Sequence, residues 1–315
     1  MYALKATKER FLYVPVPRIV PVSGACENVD SLFEVHPPKN QDAWWNGQRA
    51  FFAQTGQLHL ETLLDQHECL YVCGSSGRAE ERVDGRHLSE FELLELEMKG
   101  TFSDLVSCIH TMFEFVSKSV LSMSDNLTEE EKDRIVALQN IQEVRYSDAI
   151  DILNRLGSTV KYGDDLHSVT EKMLSDHVGG PVLITHFPNN QHPEQLDIEV
   201  EKFFNMRPEH TNRVVLSCDL ILPHSGECLG GAERIWEVSL LKERLERSKM
   251  YKLMLDKGLS MKDFDGYMSA MAEHGPSIGP HCGCGIGIPR VAQYILGTER
   301  IEDATSFVST RDRLS

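Results

Sequence analysis

The sequence lacks the features of a membrane-bound or secreted protein. No apolar run reaches the roughly 18 residues that a membrane-spanning helix needs. The N-terminal segment MYALKATKERFLYV has no apolar core of the kind that a signal peptide carries. These absences predict a cytoplasmic protein without a membrane partner.

Positive charge is also scarce. Lys and Arg number 32 against 48 Asp and Glu, which gives a formal net charge of -16. Because Lys and Arg supply the sequence-independent grip on nucleic-acid phosphates, this balance argues against a broad nucleic-acid surface. We therefore expect no DNA partner and do not expect tRNA, while a local basic groove stays open.

Cysteine is present, but without the spacing of a disulfide framework or a zinc site. The 8 cysteines are spread through apolar or glycine-rich contexts of a large chain, which indicates reduced thiols. His281, Cys282 and Cys284 lie close together, yet no second C-x-x-C pair accompanies them. Neither a dinucleotide-binding glycine loop nor a P-loop occurs, so those nucleotide folds are excluded.

What is present predicts an α+β fold. The segments CLYVCGSS and FELLELEM read as two antiparallel strands, the second with one wet face. SDLVSCIHTMFEFVSKSVLSM has helical spacing, and KFFNMR and RVVLSCDLIL read as a further strand pair. This order of elements indicates an antiparallel β-sheet flanked by helices, not a βαβ repeat.

A charged loop joins the first two predicted strands. Its cations are Arg78, Arg82, Arg86 and His87. A hairpin loop presents such groups to one side of the sheet, where they can hold a polyanion. The alternative is a solvated surface network, in which the cations are neutralised by Glu80, Glu81, Asp84 and Glu90.

The segment CGCGIGIPR places glycines at 283, 285 and 287 and Arg290 shortly after them. Glycines at alternate strand positions leave one face without side chains, so a flat ligand could lie against the backbone. Arg290 could then reach a terminal phosphate. A glycine-rich packing turn is the alternative.

Two acids, Asp219 and Glu227, bracket the turn in DLILPHSGE. Carboxylates at the ends of neighbouring strands suit Mg²⁺, which takes a few carboxylates together with ligand phosphates. A surface pair of acids would have the same spacing. Taken with the arginines and glycines, the set indicates ATP with magnesium as cofactors.

Four segments in order resemble the catalytic domain of class II aminoacyl-tRNA synthetases of the asparaginyl/aspartyl branch. They are ACENVDSLFEV with TGQLHLE, GRAEERVDGRHLSEFELLELE, DLILPHSGECLGGAER and GCGIGIPRVAQYILGTERIEDAT. The resemblance implies a catalytic domain over residues 24–315, preceded by an arm or remnant dimerisation segment over 1–23. It also implies a homodimer.

The resemblance further implies an ATP site. Arg78 would bind the α-phosphate, Phe91 would stack on adenine, and Arg290 would cover its other face and hold the γ-phosphate. Arg78 and Arg290 are thus the implied catalytic residues. The remaining implied ATP and magnesium contacts are Glu80, Arg86, His87, Gly285 and Gly287 for ATP, and Asp219 and Glu227 for the metal.

The implied substrate pocket contains Gln54, Gln57, Leu60, Glu80 and Arg234. Aspartate-binding relatives carry a lysine where this chain has Leu60. An apolar group cannot neutralise a buried carboxylate, so the pocket suits a neutral amide better. Arg234 alone could still hold an acid.

The chain also resembles archaeal asparagine synthetases related to asparaginyl-tRNA synthetase, since no anticodon-binding barrel precedes the match. The leading hypothesis is therefore a stand-alone adenylating ligase. It would activate an aspartate- or asparagine-like group, on a small amino-acid-like molecule or a peptide end, and pass it to ammonia or another amine. Three alternatives stay open: adenylation of a carboxamide to give a nitrile, a truncated asparaginyl-tRNA synthetase, and an inactive regulatory relative.

Overall fold

The computed structural model describes residues 11–21, 29–38, 44–81, 84–123 and 125–314. Its strands are β1 (Leu12–Tyr13), β2 (Ile19–Val20), β3 (Glu34–Val35), β4 (Ala50–Phe52), β5 (Cys69–Gly77), β6 (Glu90–Lys99), β7 (Gln142–Arg145), β8 (Val182–Thr185), β9 (Ser217–Leu222), β10 (Gly226–Glu233) and β11 (His281–Gly287). Its α-helices are α1 (Gln57–Glu61), α2 (Phe102–Met123), α3 (Glu129–Ala137), α4 (Tyr146–Arg155), α5 (Ser168–Val178), α6 (Val238–Arg247), α7 (Lys249–Asp256), α8 (Asp265–Ile278) and α9 (Ile288–Leu296).

An 8-stranded sheet organises the fold, in the order β1-β5-β6-β11-β10-β9-β8-β7. The pairs from β5 through β8 are antiparallel, whereas the edge strands β1 and β7 pair in parallel with β5 and β8. The predicted α+β fold with helices around a largely antiparallel sheet is confirmed. Its central register brings Asp219 opposite Gly230 and Glu97 opposite Gly283.

A smaller sheet, β2-β4-β3, ties the N-terminal part of the chain to the body. Ile19 pairs with Phe52, and Leu12 of β1 pairs with Leu70 of the large sheet. The predicted domain boundary between residues 23 and 24 lies outside the described residues and stays a prediction. None of the helices in the described ranges is long and apolar enough to cross a membrane.

Helix α2 covers one face of the large sheet. Leu105, Ile109 and Met112 follow helical spacing and are buried against the strands. Burying each such side chain contributes about 1.5–3 kcal/mol. The opposite face of the sheet is therefore the one left for a cleft.

Strand β6 alternates as predicted, but its predicted wet face is wrong. Leu94, Leu96 and Met98 point toward α2, while Glu95 and Glu97 on the other face are only 4% and 1% exposed. Charges so deeply buried need partners inside the protein. The polar face of β6 is thus a buried surface beneath the cleft.

The predicted strand at KFFNMR is also wrong. Residues 202–207 form no regular strand, and Met206 makes only an isolated bridge to Arg234. The irregular path of this segment places Lys202 beside Asp219 on β9.

Candidate active site

A cleft of about 1000 Å³ opens on the face of the large sheet opposite α2. Twelve of the residues predicted for the site line it: Gln57, Arg78, Glu80, Arg86, His87, Phe91, Asp219, Glu227, Arg234, Gly285, Gly287 and Arg290. They come from β6, β9, β10 and β11, from α1 and α9, from the segment between β5 and β6, and from the residue that follows β10. The sheet therefore brings together groups that are far apart in the sequence.

The cations of the β5–β6 loop face this cleft. The Arg78 guanidinium lies 5.2 Å from the centre of the Phe91 ring, a cation–π distance. His87 Nδ1 lies 2.8 Å from Asp84 Oδ1. Partial burial opposes ionisation of Asp84, but hydrogen bonds from His87 and the Arg86 N–H lower its pKa. Arg82 lies outside the described residues.

Arg86 has an ionic partner that sequence reasoning missed. Its Nη2 donates to Glu171 Oε2 on α5 at 3.0 Å, while its buried Nε has no hydrogen-bond partner among the described residues. Nothing in the α5 sequence marked Glu171, because an acid in the first turn of a helix is common for local reasons. The pair leaves part of the Arg86 guanidinium available to an anion.

Arg290 lies in the first turn of α9 and donates to the carbonyl of Ser225. Burial, followed by the nearby charge of Arg86, lowers its pKa. The two guanidiniums repel each other near a helix N-terminus, and a bound anion would reduce this repulsion. A polyphosphate is the kind of anion that could span both.

The predicted metal ligands converge above a glycine. A Cβ built on Gly230 would lie 3.4 Å from Glu227 Oε1 and 3.7 Å from Asp219 Oδ1, so the two carboxylates share one small space. The described ranges contain no group of three His, Cys, Asp or Glu that could hold a metal ion. Two carboxylates with room for phosphates and waters fit Mg²⁺.

Lys202 is a second residue that sequence reasoning missed. Its ammonium pairs with Asp219 and lies 3.7 Å from the centre of the Phe187 ring. Burial disfavours the charged form of Lys202, but Asp219 and Glu227 outweigh that effect and raise its pKa. The one available signal was a lone cation before an apolar run.

The substrate side of the cleft ends in a wall of paired charges. Arg234 is only 2% exposed, and its Nη2 donates to Glu97 Oε1 at 2.8 Å. The Gln57 Nε2 donates to Glu61 Oε1 at 2.7 Å. Both Arg234 and Gln57 line the cleft, and their contact with a substrate stays a prediction.

Two predicted substrate residues do not line the cleft. Gln54 is fully buried, and its Nε2 donates to the carbonyl and hydroxyl oxygens of Ser31. Leu60 is packed in an apolar cluster with Leu64. On α1, Gln57, Leu60 and Glu61 are all buried, and of these three Gln57 lines the cleft. Gln54 and Leu60 therefore act, at most, through their neighbours.

The sequence pattern of the family described as tRNA synthetases class II (D, K and N) matches residues 5–311. The chain belongs to this family. The chain is 33% identical over 306 residues to the asparagine–tRNA ligase of Pelotomaculum thermopropionicum, and the match covers 94% of the chain and 63% of that protein. It is 29% identical over 330 residues to that of Clostridium acetobutylicum, 95% of the chain and 66% of that protein.

Solved structures of the same family share the fold of this chain. The crystal structure of asparaginyl-tRNA synthetase from Pyrococcus horikoshii complexed with asparaginyl-adenylate matches with a TM-score of 0.77 at 26% identity. The match covers 99% of this chain and 67% of that chain. The chain thus spans about two thirds of the length of the proteins it is similar to.

These findings correct one expectation from composition. The net charge of -16 argued against tRNA as a partner, yet the chain belongs to a tRNA synthetase family and its relatives are named asparagine–tRNA ligases. Net charge averages over the whole surface, whereas a single local groove can hold a nucleic acid. The expectation, drawn from net charge, that tRNA is not a partner is therefore wrong for this fold.

Proposed function

We propose that this chain is an ATP-dependent ligase that joins the carboxyl group of asparagine to AMP and releases diphosphate. The observation that carries the proposal is the convergence of Arg78, Arg86 and Arg290 on one cleft beside the paired acids Asp219 and Glu227. Such a set suits a triphosphate and its metal.

In the proposed reaction, a carboxylate oxygen of the amino acid attacks the α-phosphorus of ATP. A new C–O–P bond forms, and the bond from the α-phosphorus to the diphosphate oxygen breaks. Arg78 would stabilise the negative charge on the reacting phosphate, while Arg86, His87 and Arg290 would hold the departing diphosphate. Mg²⁺ on Asp219 and Glu227 would supply further charge neutralisation. No side chain needs to take or give a proton.

The amide end of asparagine suits the wall formed by Arg234 and Gln57. Glu97 already balances the charge of Arg234 within the protein. An aspartate carboxylate bound there would be a buried charge without a counter-ion, which costs several kcal/mol. A neutral carboxamide avoids that cost, and asparagine is the amino acid in the names of the relatives. For the second step we propose transfer of the asparaginyl group to tRNA.

The second candidate is amide formation, in which aspartate is adenylated and ammonia or another amine displaces AMP. We call the part of the cleft around Arg78, Arg86 and Arg290 the phosphate side. Acids that line the cleft beside it favour amide formation, because carboxylates attract an ammonium ion or a protonated amine. They include Asp165, Glu171 and Glu201. The same acids would surround any amine acceptor carried by a small molecule or a peptide.

ATP–diphosphate exchange tests the adenylation step. We expect exchange that depends on Mg²⁺ and asparagine and that is much weaker with aspartate. AMP release is then measured with tRNA or ammonia as the acceptor, and products are identified by mass spectrometry. Asparagine formed from aspartate and ammonia would favour the second candidate, and a nitrile would reveal carboxamide activation. Absence of exchange with both amino acids would refute the adenylation proposal.

A further inference from the structure

Two buried ion pairs lie side by side in the wall at the substrate side of the cleft. Glu61 and His281 are both 0% exposed, and Glu61 Oε2 lies 3.2 Å from His281 Nε2. The side chains of Arg234 and Glu97 are 3% and 1% exposed, and Arg234 Nη2 lies 2.8 Å from Glu97 Oε1. The Arg234 backbone N–H donates to the His281 carbonyl at 2.8 Å, so the pairs are directly connected.

The hydrogen bonds of His281 fix its charge. Its Nδ1 faces the Gly279 carbonyl at 3.0 Å, and its Nε2 faces the Glu61 carboxylate. Burial opposes ionisation of Glu61, but His281 outweighs that effect and lowers the pKa of Glu61, so Glu61 is a carboxylate. Both neighbours are then acceptors, and the two ring nitrogens donate in the imidazolium form. Burial opposes that form, but Glu61 and Glu97 outweigh it and raise the pKa of His281. The first pair is therefore ionic, like the second.

Glu61 also holds the amide of Gln57 in place. Its Oε1 accepts from Gln57 Nε2 at 2.7 Å and from Asn205 Nδ2 at 2.9 Å, and its Oε2 accepts from the Tyr267 hydroxyl at 2.8 Å. With its NH₂ turned toward Glu61, the Gln57 amide can have only one orientation. Gln57 and Arg234 are the two members of this network that line the cleft.

We infer that Glu61 is a positioning residue that makes the wall select a carboxamide over a carboxylate. This inference rests on the proposed function, because it needs an asparagine-like substrate. With its NH₂ held by Glu61, the Gln57 amide offers a substrate carboxylate no donor, whereas the NH₂ of a substrate carboxamide can donate to the Gln57 carbonyl oxygen. Replacing Glu61 would free the Gln57 amide to rotate and to turn its NH₂ toward a carboxylate. It would also remove the carboxylate that keeps the buried His281 protonated, so no excess cation would appear.

The test compares Glu61→Gln, His281→Gln and the double variant in ATP–diphosphate exchange with asparagine and with aspartate. We run it near pH 8, because burial raises the pKa of Glu97 to about 7 and that group must stay ionised. Glu61→Gln should lower the asparagine-to-aspartate ratio of kcat/KM by about tenfold or more, mainly through KM. His281→Gln keeps Glu61 as the acceptor of the Gln57 NH₂ and should change the ratio much less. The double variant lacks that acceptor and should lower the ratio as Glu61→Gln does.

Glu233→Gln is the matched control, because Glu233 is another buried carboxylate on the sheet and does not line the cleft. It should leave the ratio unchanged. Equal losses with both amino acids in Glu61→Gln, or an equal fall of the ratio in His281→Gln, would overturn the inference while leaving the proposed function intact. A wild-type protein inactive with both amino acids would overturn the two together. If Glu61→Gln does not fold, Glu61→Asp decides, because its shorter side chain keeps the charge but withdraws the acceptor from the Gln57 NH₂ and should lower the ratio in the same way.

Discussion

The two sides of the cleft use arginine in opposite ways. On the phosphate side, burial and then the nearby Arg86 guanidinium lower the pKa of Arg290. On the substrate side, Arg234 is sealed against Glu97 within the protein. A site for a mobile polyanion leaves guanidinium groups available at the cleft, whereas a site for a neutral group cancels the charge of its arginine within the protein. The contrast teaches that the balance around an arginine, and not its presence, indicates what it binds.

The largest expected effect comes from removing a cation on the phosphate side. Arg78→Ala or Arg290→Ala should reduce the rate of ATP–diphosphate exchange by about 10²–10³-fold, because each removes a donor to charge that develops in the reaction. Arg213→Ala is the control, since Arg213 forms an exposed pair with Glu194 away from the cleft. Full exchange activity in the Arg290→Ala variant would break the comparison.

The substrate wall should be more sensitive to added volume than the phosphate side. A Cβ on Gly283 would lie 2.2 Å from the Glu97 carboxylate and 2.3 Å from the Leu96 carbonyl oxygen, so Gly283→Ala should lower the free energy of unfolding by about 1–3 kcal/mol. A Cβ on Gly285 would meet its nearest atom at 3.7 Å. We expect Gly285→Ala to be nearly neutral in thermal unfolding. A Gly283→Ala variant that loses as little unfolding free energy as Gly285→Ala would show that the wall is not tightly packed.

Lys202 sharpens the comparison at the metal ligands. Its ammonium competes with a metal ion for Asp219, so Lys202→Met should strengthen Mn²⁺ binding to the ATP-free protein by about tenfold, which is 1.4 kcal/mol. Calorimetric titration measures this without relying on catalysis. Lys172→Met serves as the control, because Lys172 forms an exposed pair with Asp176. Unchanged Mn²⁺ affinity in Lys202→Met would show that the lysine does not compete.

The sequence was sufficient to predict the fold and most of the cleft, because motifs fix residue types and strand order at once. It could not predict Glu61, Glu97 or Lys202. Glu97 sits in the alternating pattern of FELLELEM, and alternation alone cannot distinguish a solvated face from a buried polar one. Partners for such a face lie on strands distant in the sequence. Only the register that places Gly283 opposite Glu97 reveals the buried pair.

The smallest expected effect separates the two sides by their response to acid. The pKa of Asp84 is lowered in the folded state, so its contribution to stability is present above its ordinary pKa of 3.8 and is lost as pH falls through the folded value. Burial instead raises the pKa of Glu97 to about 7, so its contribution is full at low pH and is lost as pH rises toward 7. Below about pH 4, the Asp84→Asn variant should therefore lose less unfolding free energy than the wild type does as pH falls. The difference should be less than about 1 kcal/mol, because the pair of Asp84 and His87 is half-exposed. If the unfolding temperatures of wild type and Asp84→Asn fall in parallel down to pH 3, Asp84 contributes nothing to the acid response.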